Sequence, residues 1–288
     1  MKLVRRTLPL AVLAALAAPV AHAEVPIDVI GGSEISFEGL LQADGNWFNK
    51  DVANLNGDAQ DGSNSDFELR RAELVMKGKG PGNIEWVIGY DAKADKWLDT
   101  NLKYKVGGNA NHFVQFGQFK QPNSLEELSS TKNNDFISKG MVTNTWAVAR
   151  RLGAAYGIGD ANWSVTASAF SRELKRGLAA GDGFGVRGTW APINETGRIL
   201  HLGLSHVSYD AELAVVGGAN IADTQRWRAR PDADLSGTRL IDTGNLTLAK
   251  KVNTTGFEAF WVQGPFKLQG EYMRSTTTRG GSVDDFTG

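Results

Sequence analysis

Residues Glu34 to Trp47 read EISFEGLLQADGNW, and apolar and polar side chains alternate along almost all of this stretch. The odd positions are apolar or small from Ile35 to Trp47, and the even positions are polar, with Leu40 as the exception. Successive side chains of a β-strand point to opposite faces of its sheet. The stretch therefore predicts a strand with one apolar face and one polar face.

The same alternation recurs along the chain, in about eleven segments by this criterion. The connections between the segments alternate in length. The short ones, rich in glycine, are Gly78–Gly82, Gly107–Asn109, Gly157–Asp160 and Gln263–Pro265. The long ones are Phe48–Asp66, Gln121–Trp146, Arg172–Gly181 and Asp210–Val252. Short turns at one end of the strands and long loops at the other are typical of outer-membrane barrels.

These patterns predict an all-β fold, a transmembrane antiparallel β-barrel. The composition of 34 glycines and 8 prolines suits many strands joined by tight turns. A soluble β-sandwich also alternates, but it does not explain the regular difference between the two ends of the strands. The barrel is therefore the favoured interpretation.

The chain begins with features of an export signal. Lys2, Arg5 and Arg6 precede an apolar run, and Ala21 and Ala23 supply the small residues that a signal peptidase reads. We expect residues 1–23 to be cleaved and residues 24–288 to form the N-terminal part of a barrel. Single-chain bacterial barrels have an even number of strands, so an odd count predicts further strands in a longer protein.

The sequence gives little support to an enzyme or a metal protein. Cysteine is absent, which excludes disulfides and thiol chemistry. A barrel phospholipase needs an oriented Ser–His pair, and the histidines of the exported chain, His112, His201 and His206, show no such arrangement. The acidic stretch Gly57–Asp66 lacks the spacing of a calcium loop. We expect no catalytic site, no metal, no cofactor and no binding of nucleic acid.

A separate stretch, Thr224–Pro231, carries Arg226, Arg228 and Arg230 at alternate positions. In an extended segment this spacing places three like charges on one side, where they repel one another. A solvated face is one explanation. An array that binds passing anions is another, because guanidinium groups bind phosphate oxygens with paired hydrogen bonds.

The chain resembles the phosphate-selective porins of the O and P type. The resemblance rests on the order and spacing of several stretches along nearly the whole exported chain: Gly39–Asp44, Glu68–Leu74, Phe116–Lys120, Leu125–Ser130, Ala191–Ile193, His201–Leu204, Arg228–Pro231, Asp242–Asn245 and Gly270–Tyr272. It implies a 16-stranded homotrimeric channel for small anions in outer-membrane lipid, with an arginine ladder and a loop folded into the pore.

The resemblance also implies a set of pore-lining residues. Arg226, Arg228 and Arg230 match the ladder, and Arg70 and Arg71 match a pair of arginines at the constriction. Asp99 matches an acidic residue that orients neighbouring cations, while Ser130 and Lys132 fall on the inward loop. Strand parity favours Arg71 as the lumenal member of its pair, and both arginines reach the lumen only if the strand bulges.

Three positions depart from the pattern of the most phosphate-directed members. Glu127 stands where such members have a lysine after Leu-Glu, Leu40 replaces an arginine, and Glu85 replaces a lysine. These changes leave two alternatives to an anion channel. One is a general or cation-tolerant porin with weak selectivity, and the other is a structural or adhesive outer-membrane barrel.

Overall fold

The computed structural model describes residues 25–29, 33–47, 65–175, 181–211, 213–216, 219–231, 236 and 238–288. The predicted export signal at residues 1–23 and most of the acidic stretch Gly57–Asp66 lie outside the described residues.

Long strands dominate the described chain, as the alternating pattern predicts. They are β2 (Ser33–Trp47), β3 (Ser65–Gly80), β4 (Ile84–Asp91), β5 (Lys96–Lys105), β6 (Phe113–Lys120), β7 (Arg150–Asp160), β8 (Trp163–Phe170), β9 (Gly183–Glu195), β10 (Arg198–Asp210), β17 (Ala249–Gln263) and β18 (Phe266–Arg279). Shorter strands flank them at β1 (Val25–Val29) and β19 (Phe286–Thr287).

The remaining elements lie in two of the long connections. Between β10 and β17 are β11 (Leu213–Val216), β12 (Ala219–Ala222), β13 (Thr224–Gln225), β14 (Arg228–Ala229), β15 (Ile241–Asp242) and β16 (Leu246–Thr247). Between β6 and β7 are the short helices α1 (Leu125–Leu128) and α2 (Met141–Trp146). Among the described residues, no helix is long and apolar enough to cross a bilayer.

The strands form one antiparallel sheet of 13 strands in chain order, with β10 paired directly to β17. The six short strands between them pair only among themselves, as β11–β12, β13–β16 and β14–β15. The turns after β3, β5, β7, β9 and β17 are short, and the connections after β6, β8 and β10 are long. This meander confirms the predicted all-β architecture.

The two faces of the sheet differ sharply in character. One face exposes a band of large apolar side chains, among them Leu41, Leu74, Phe116, Leu204, Phe257, Leu268 and Tyr272. An apolar surface of this extent is unfavourable in water and favourable against lipid. The opposite face carries the charged side chains of the same strands, and it is the face that the long connection after β6 covers.

That connection, residues 121–149, is called the inner loop. It contacts both ends of the strand series on the polar face. At one side, the Lys132 ammonium lies 2.8 Å from a Glu38 carboxylate oxygen of β2. At the other, the backbone N–H of Glu126 donates to the Glu271 carboxylate of β18 at 2.7 Å. The sheet therefore curves around the inner loop, which lies within its concave side.

Candidate functional site

A cavity of about 570 Å³ lies between the inner loop and the concave face of β2–β7. Five of the residues singled out from the sequence line it: Arg70, Arg71, Asp99, Ser130 and Lys132. Four further cations share the cavity, namely Lys96, Lys120, Lys139 and Arg150. We call this space the cationic cavity.

A β-bulge on β3 turns both arginines of the pair toward the cavity. Gln42 of β2 is opposite Arg71, and the next residue, Ala43, is opposite Leu69, so Arg70 is the extra residue. After the extra residue, the alternation of side chains between the two faces is shifted by one position. Arg70 therefore lies on the polar face of the part of β3 before the bulge, and Arg71 lies on the polar face of the part after it. The bulge is the condition under which Arg70 lines the cavity together with Arg71, the member of the pair that parity alone favours.

Each arginine of the pair has a fixed partner. The Arg70 guanidinium donates to the Asp44 carboxylate at 2.9 Å, and both side chains are nearly buried. Arg71 donates to the Thr131 hydroxyl of the inner loop at 3.1 Å, and its Nη1 lies 3.5 Å from the Glu73 carboxylate. The buried Nε–H of Arg71 has no hydrogen-bond partner in the structure. Arg71 thus connects the wall of the sheet to the loop.

Asp99 reaches the cavity in a similar way. Leu98 and Asp99 of β5 together face the single residue Gly89 of β4, where the register shifts. A Cβ on Gly89 would lie 3.0 Å from the Leu98 Cβ, so glycine permits this close approach. Alternation alone places Leu98 on the outer face, yet it is buried and lines the cavity.

The Asp99 carboxylate holds Arg150, a residue that the sequence analysis did not identify. Arg150 donates from Nη2 at 2.7 Å and from Nε at 3.1 Å to the same carboxylate oxygen. Arg150 is the first residue of β7 and directly follows the inner loop. It is adjacent to Arg151 in the sequence, just as Arg70 is adjacent to Arg71. That repeated Arg-Arg pattern is the sequence signal that could have revealed it.

Lys132 joins the loop to the wall at the opposite side of the cavity, and Ser130 caps the turn that carries Lys132. Glu38 contacts the ammonium groups of both Lys132 and Lys77. The Ser130 hydroxyl accepts a hydrogen bond from the Lys132 backbone N–H at 3.4 Å, at the start of a single 3₁₀ turn. The Lys132 charge is therefore partly satisfied by a carboxylate of β2.

The three positions that depart from the family pattern have distinct surroundings. Glu127 is buried in the cavity wall, and its carboxylate contacts the Lys139 ammonium. Leu40 lines the cavity without a charge. Glu85 lies away from it, 2.6 Å from the Lys105 ammonium. Leu40 and Glu127 thus lie at the cavity, while the charge of Glu85 is neutralised by Lys105 elsewhere on the sheet.

The balance of charge in the cavity remains positive. Its lining includes seven cations: Arg70, Arg71, Lys96, Lys120, Lys132, Lys139 and Arg150. Five carboxylates belong to the lining or pair with it: Glu73, Asp99, Glu127, Asp44 and Glu38. Among the residues that line the cationic cavity, positive side chains therefore outnumber negative ones.

The three alternating arginines lie elsewhere, in the connection between β10 and β17. Between them, Trp227 and Ala229 are buried, and Trp227 stacks on Trp146 of α2 with ring centroids 4.8 Å apart. The Trp227 indole N–H donates to the Thr277 hydroxyl of β18 at 3.0 Å. This packing holds the segment against the concave face of the sheet and leaves the arginines on its other side.

The arginines of this segment have different electrostatic surroundings. Arg226 forms a paired interaction with Asp242, at 2.7 and 2.6 Å, and this interaction lowers the pKa of the Asp242 carboxyl to about 2. Arg228 is exposed, while Arg230 is half-buried. Burial, followed by the proximity of Arg228 and Arg230, lowers the pKa of the Arg239 guanidinium. Arg239 is a fourth member of this cluster that the alternating pattern did not include.

The structure does not bring the two groups of residues into one cavity. Arg226, Arg228 and Arg230 are absent from the lining of the cationic cavity. The candidate site therefore has two separate parts: the cationic cavity and the arginine cluster of the connection after β10.

The histidines serve as hydrogen-bonding residues of the wall. His201 lies 2.8 Å from the Glu258 carboxylate, which also binds Arg187. His206 contacts the Thr255 hydroxyl at 3.0 Å, and His112 contacts the Tyr156 hydroxyl at 2.7 Å. Within the described ranges, no group of three or more His, Cys, Asp or Glu side chains is arranged to hold a metal ion.

Comparison with known proteins agrees with this architecture. A family model described as "Phosphate-selective porin O and P" matches residues 41–287. The protein named Porin O of Pseudomonas aeruginosa is 26% identical, with 87% of this chain and 63% of that protein covered. An uncharacterized protein of Caulobacter vibrioides is 27% identical over 68% of this chain and 40% of its own length. The chain thus spans less than two thirds of the length of these curated relatives. On the match of the family model, the chain belongs to the phosphate-selective porin O and P family.

Proposed function

We propose that the full-length protein is an outer-membrane channel through which small anions diffuse passively, with phosphate-like oxyanions preferred. Its family is one of porins, which makes it a channel protein and not an enzyme. The observation that carries the anion preference is the excess of cations over carboxylates in the lining of the cationic cavity. A row of cations along a pore is the expected device for an anion channel.

Phosphate is favoured within this class because of the kind of donors present. Arg70, Arg71 and Arg150 carry planar guanidinium groups that match oxyanion geometry, and four lysines add compact point charges. Partial pairing of these cations with carboxylates supports weak binding. A channel needs weak binding, because a solute that is held tightly does not leave.

The arginine cluster supports a second element of the proposal, an approach that concentrates anions before they reach the cavity. Arg228 is exposed, and Arg226, Arg230 and Arg239 lie close by. Charges of one sign along a path raise the local concentration of the opposite ion. We further propose export through residues 1–23, a lipid-facing convex surface and homotrimeric assembly, as the family resemblance implies.

The experiment that tests phosphate preference is titration of phosphate against the chloride current of the full-length channel in a planar bilayer. We expect phosphate to reduce the chloride conductance in a saturable way, because it competes for the same cations. The block should weaken as ionic strength rises, since salt screens the interaction. A current that phosphate leaves unchanged at low salt contradicts the proposed preference.

A general porin with weak selectivity is the second candidate. Its support is the pairing of cations with acids in and around the cavity, at Asp44, Glu38, Glu127 and Asp99. This candidate predicts permeability to chloride and potassium that differs little. The same bilayer measurements separate it from the anion channel.

A further inference from the structure

Glu127 has an unusual position for an acidic residue, because its side chain is buried among cations. It is only 6% exposed, and its carboxylate contacts the Lys139 ammonium in the wall of the cationic cavity. The inner loop has two other acids, Glu126 and Asp135, and both line a separate cavity against β17 and β18. Glu127 is thus the carboxylate that the inner loop contributes to the cationic cavity.

The backbone around Glu127 fixes this position. Lys120 donates to the carbonyl oxygens of Glu127 at 2.5 Å and Ser129 at 2.9 Å. These carbonyls lie at the C-terminal end of α1, where helix carbonyls lack partners within the helix. The Ser124 hydroxyl accepts a hydrogen bond from the Glu127 N–H at 3.1 Å at the other end. The backbone of Glu127 is therefore fixed at both ends of the helix, and its carboxylate contacts Lys139.

We propose that Glu127 determines specificity by competing with the permeating anion for Lys139. This inference deepens the proposed function and rests on it. A carboxylate and a phosphate offer an ammonium group the same kind of charged oxygen acceptor. While Glu127 occupies Lys139, an oxyanion in the cavity must share that lysine or displace the carboxylate.

The competition has two physical parts. Glu127 removes part of the binding capacity of Lys139, and its negative charge also repels an anion in the same small cavity. Both effects are stronger away from bulk water, where the effective dielectric constant is lower. The expected consequence is weak retention and rapid release of the anion. Neutralising Glu127 should then tighten anion binding and lengthen each binding event.

The test is phosphate block of the chloride current through the full-length channel, measured for Glu127→Gln. Glutamine keeps the length of the side chain and an oxygen that accepts from Lys139, but it removes the charge. We expect the half-blocking phosphate concentration to fall by about tenfold at low salt, from the loss of one close charge. When Lys139→Gln is already present, Glu127→Gln should change the half-blocking phosphate concentration by less than about threefold, because the effects of two residues in contact are not additive.

Asp135→Asn is the matched control. Asp135 belongs to the same loop and pairs with Lys267, but it lies outside the cationic cavity. This variant removes the same charge, and its block should stay within about twofold of the wild type, because surface pairs have small effects. If Glu127→Gln behaves like Asp135→Asn in a channel that phosphate blocks, the inference is overturned and the proposed function stands. A wild-type channel that phosphate does not block overturns both.

If Glu127→Gln inserts poorly into the bilayer, a second variant, Glu127→Asp, tests the same inference. Glu127→Asp keeps the charge but withdraws the carboxylate from Lys139 by one methylene. We expect it to tighten the block by about twofold to threefold, because the repulsion remains and only the pairing weakens. An unchanged or weaker block in Glu127→Asp contradicts the competition.

Discussion

Replacing Arg70 and Arg71 together with glutamine is expected to remove most of the anion preference that we propose for the channel. Seven cations line the cationic cavity, and this change removes two of them. The change also releases Asp44 and Glu73 from their partners, which adds repulsion toward anions. We expect the chloride-to-potassium permeability ratio to fall by about fivefold or more at low salt, since close charges act strongly in a narrow pore.

Two further variants separate this effect from misfolding. Arg198→Gln removes an exposed arginine that pairs with Glu195 near the short turn after β9, and it should leave the ratio unchanged. Arg71→Gln alone leaves the nearly buried Arg70–Asp44 pair intact, and it should give a smaller decrease in a folded channel. An unaltered ratio in a well-inserted double variant would show that the cationic cavity does not set selectivity.

Replacing Trp227 with alanine is expected to detach the arginine-bearing connection from the concave face. Trp227 is 5% exposed, packs on Trp146 at 4.8 Å and donates to Thr277 at 3.0 Å. Truncating a buried tryptophan typically costs about 3–5 kcal/mol. That loss should expose residues 224–231 to protease from the long-loop side. It should also lower anion conductance at low salt, because Arg226, Arg228 and Arg230 are no longer held in the positions from which we propose that they attract anions.

The companion variant removes the charges and keeps the anchor. In Arg226→Gln, Arg228→Gln and Arg230→Gln combined, Trp227 stays in place, so protease resistance should persist while anion conductance falls. Wild-type protease resistance in Trp227→Ala would contradict the packing account of this connection. Wild-type anion conductance and selectivity in the folded triple variant would rule out the ladder role, and the cationic cavity would remain as the selective site.

Much of the fold follows from local sequence. The alternation from Glu34 to Trp47 predicts β2 with its outer and inner faces, and only Leu40 breaks the pattern. Strand parity is a property of neighbouring residues, so it can be read without knowledge of the partner strand. The alternation of Arg226, Trp227, Arg228 and Ala229 likewise predicts which side chains are buried, although the segment has only two-residue strands.

The bulges are the first feature that local parity does not give. An extra residue in a strand is defined only by the register with its neighbour, so β3 must be paired with β2 before Arg70 is assigned to a face. The same holds for Leu98, whose inward position depends on pairing with Gly89. The sequence allowed a bulge at Arg70 and Arg71 but could not establish it.

The acidic partners are the second feature beyond the reach of the sequence. Lys132 meets Glu38, and Arg70 meets Asp44, across 94 and 26 residues of chain. These pairs depend on how the sheet curves around the inner loop. Residue types therefore indicate where cations concentrate, while the net charge of the cavity requires the three-dimensional arrangement. The same is true of Asp242, which neutralises Arg226 from β15, the strand that pairs with β14.

The most direct test of the central claim is the zero-current potential of the wild-type, full-length channel across a potassium chloride gradient at low salt. The excess positive charge of the cationic cavity predicts a zero-current potential whose sign indicates that chloride is more permeant than potassium. Raising the salt on both sides should reduce this preference, because screening shortens the range of the cavity charges. A potential near zero, or one with the sign of potassium preference, would contradict the account and support a general or cation-tolerant porin.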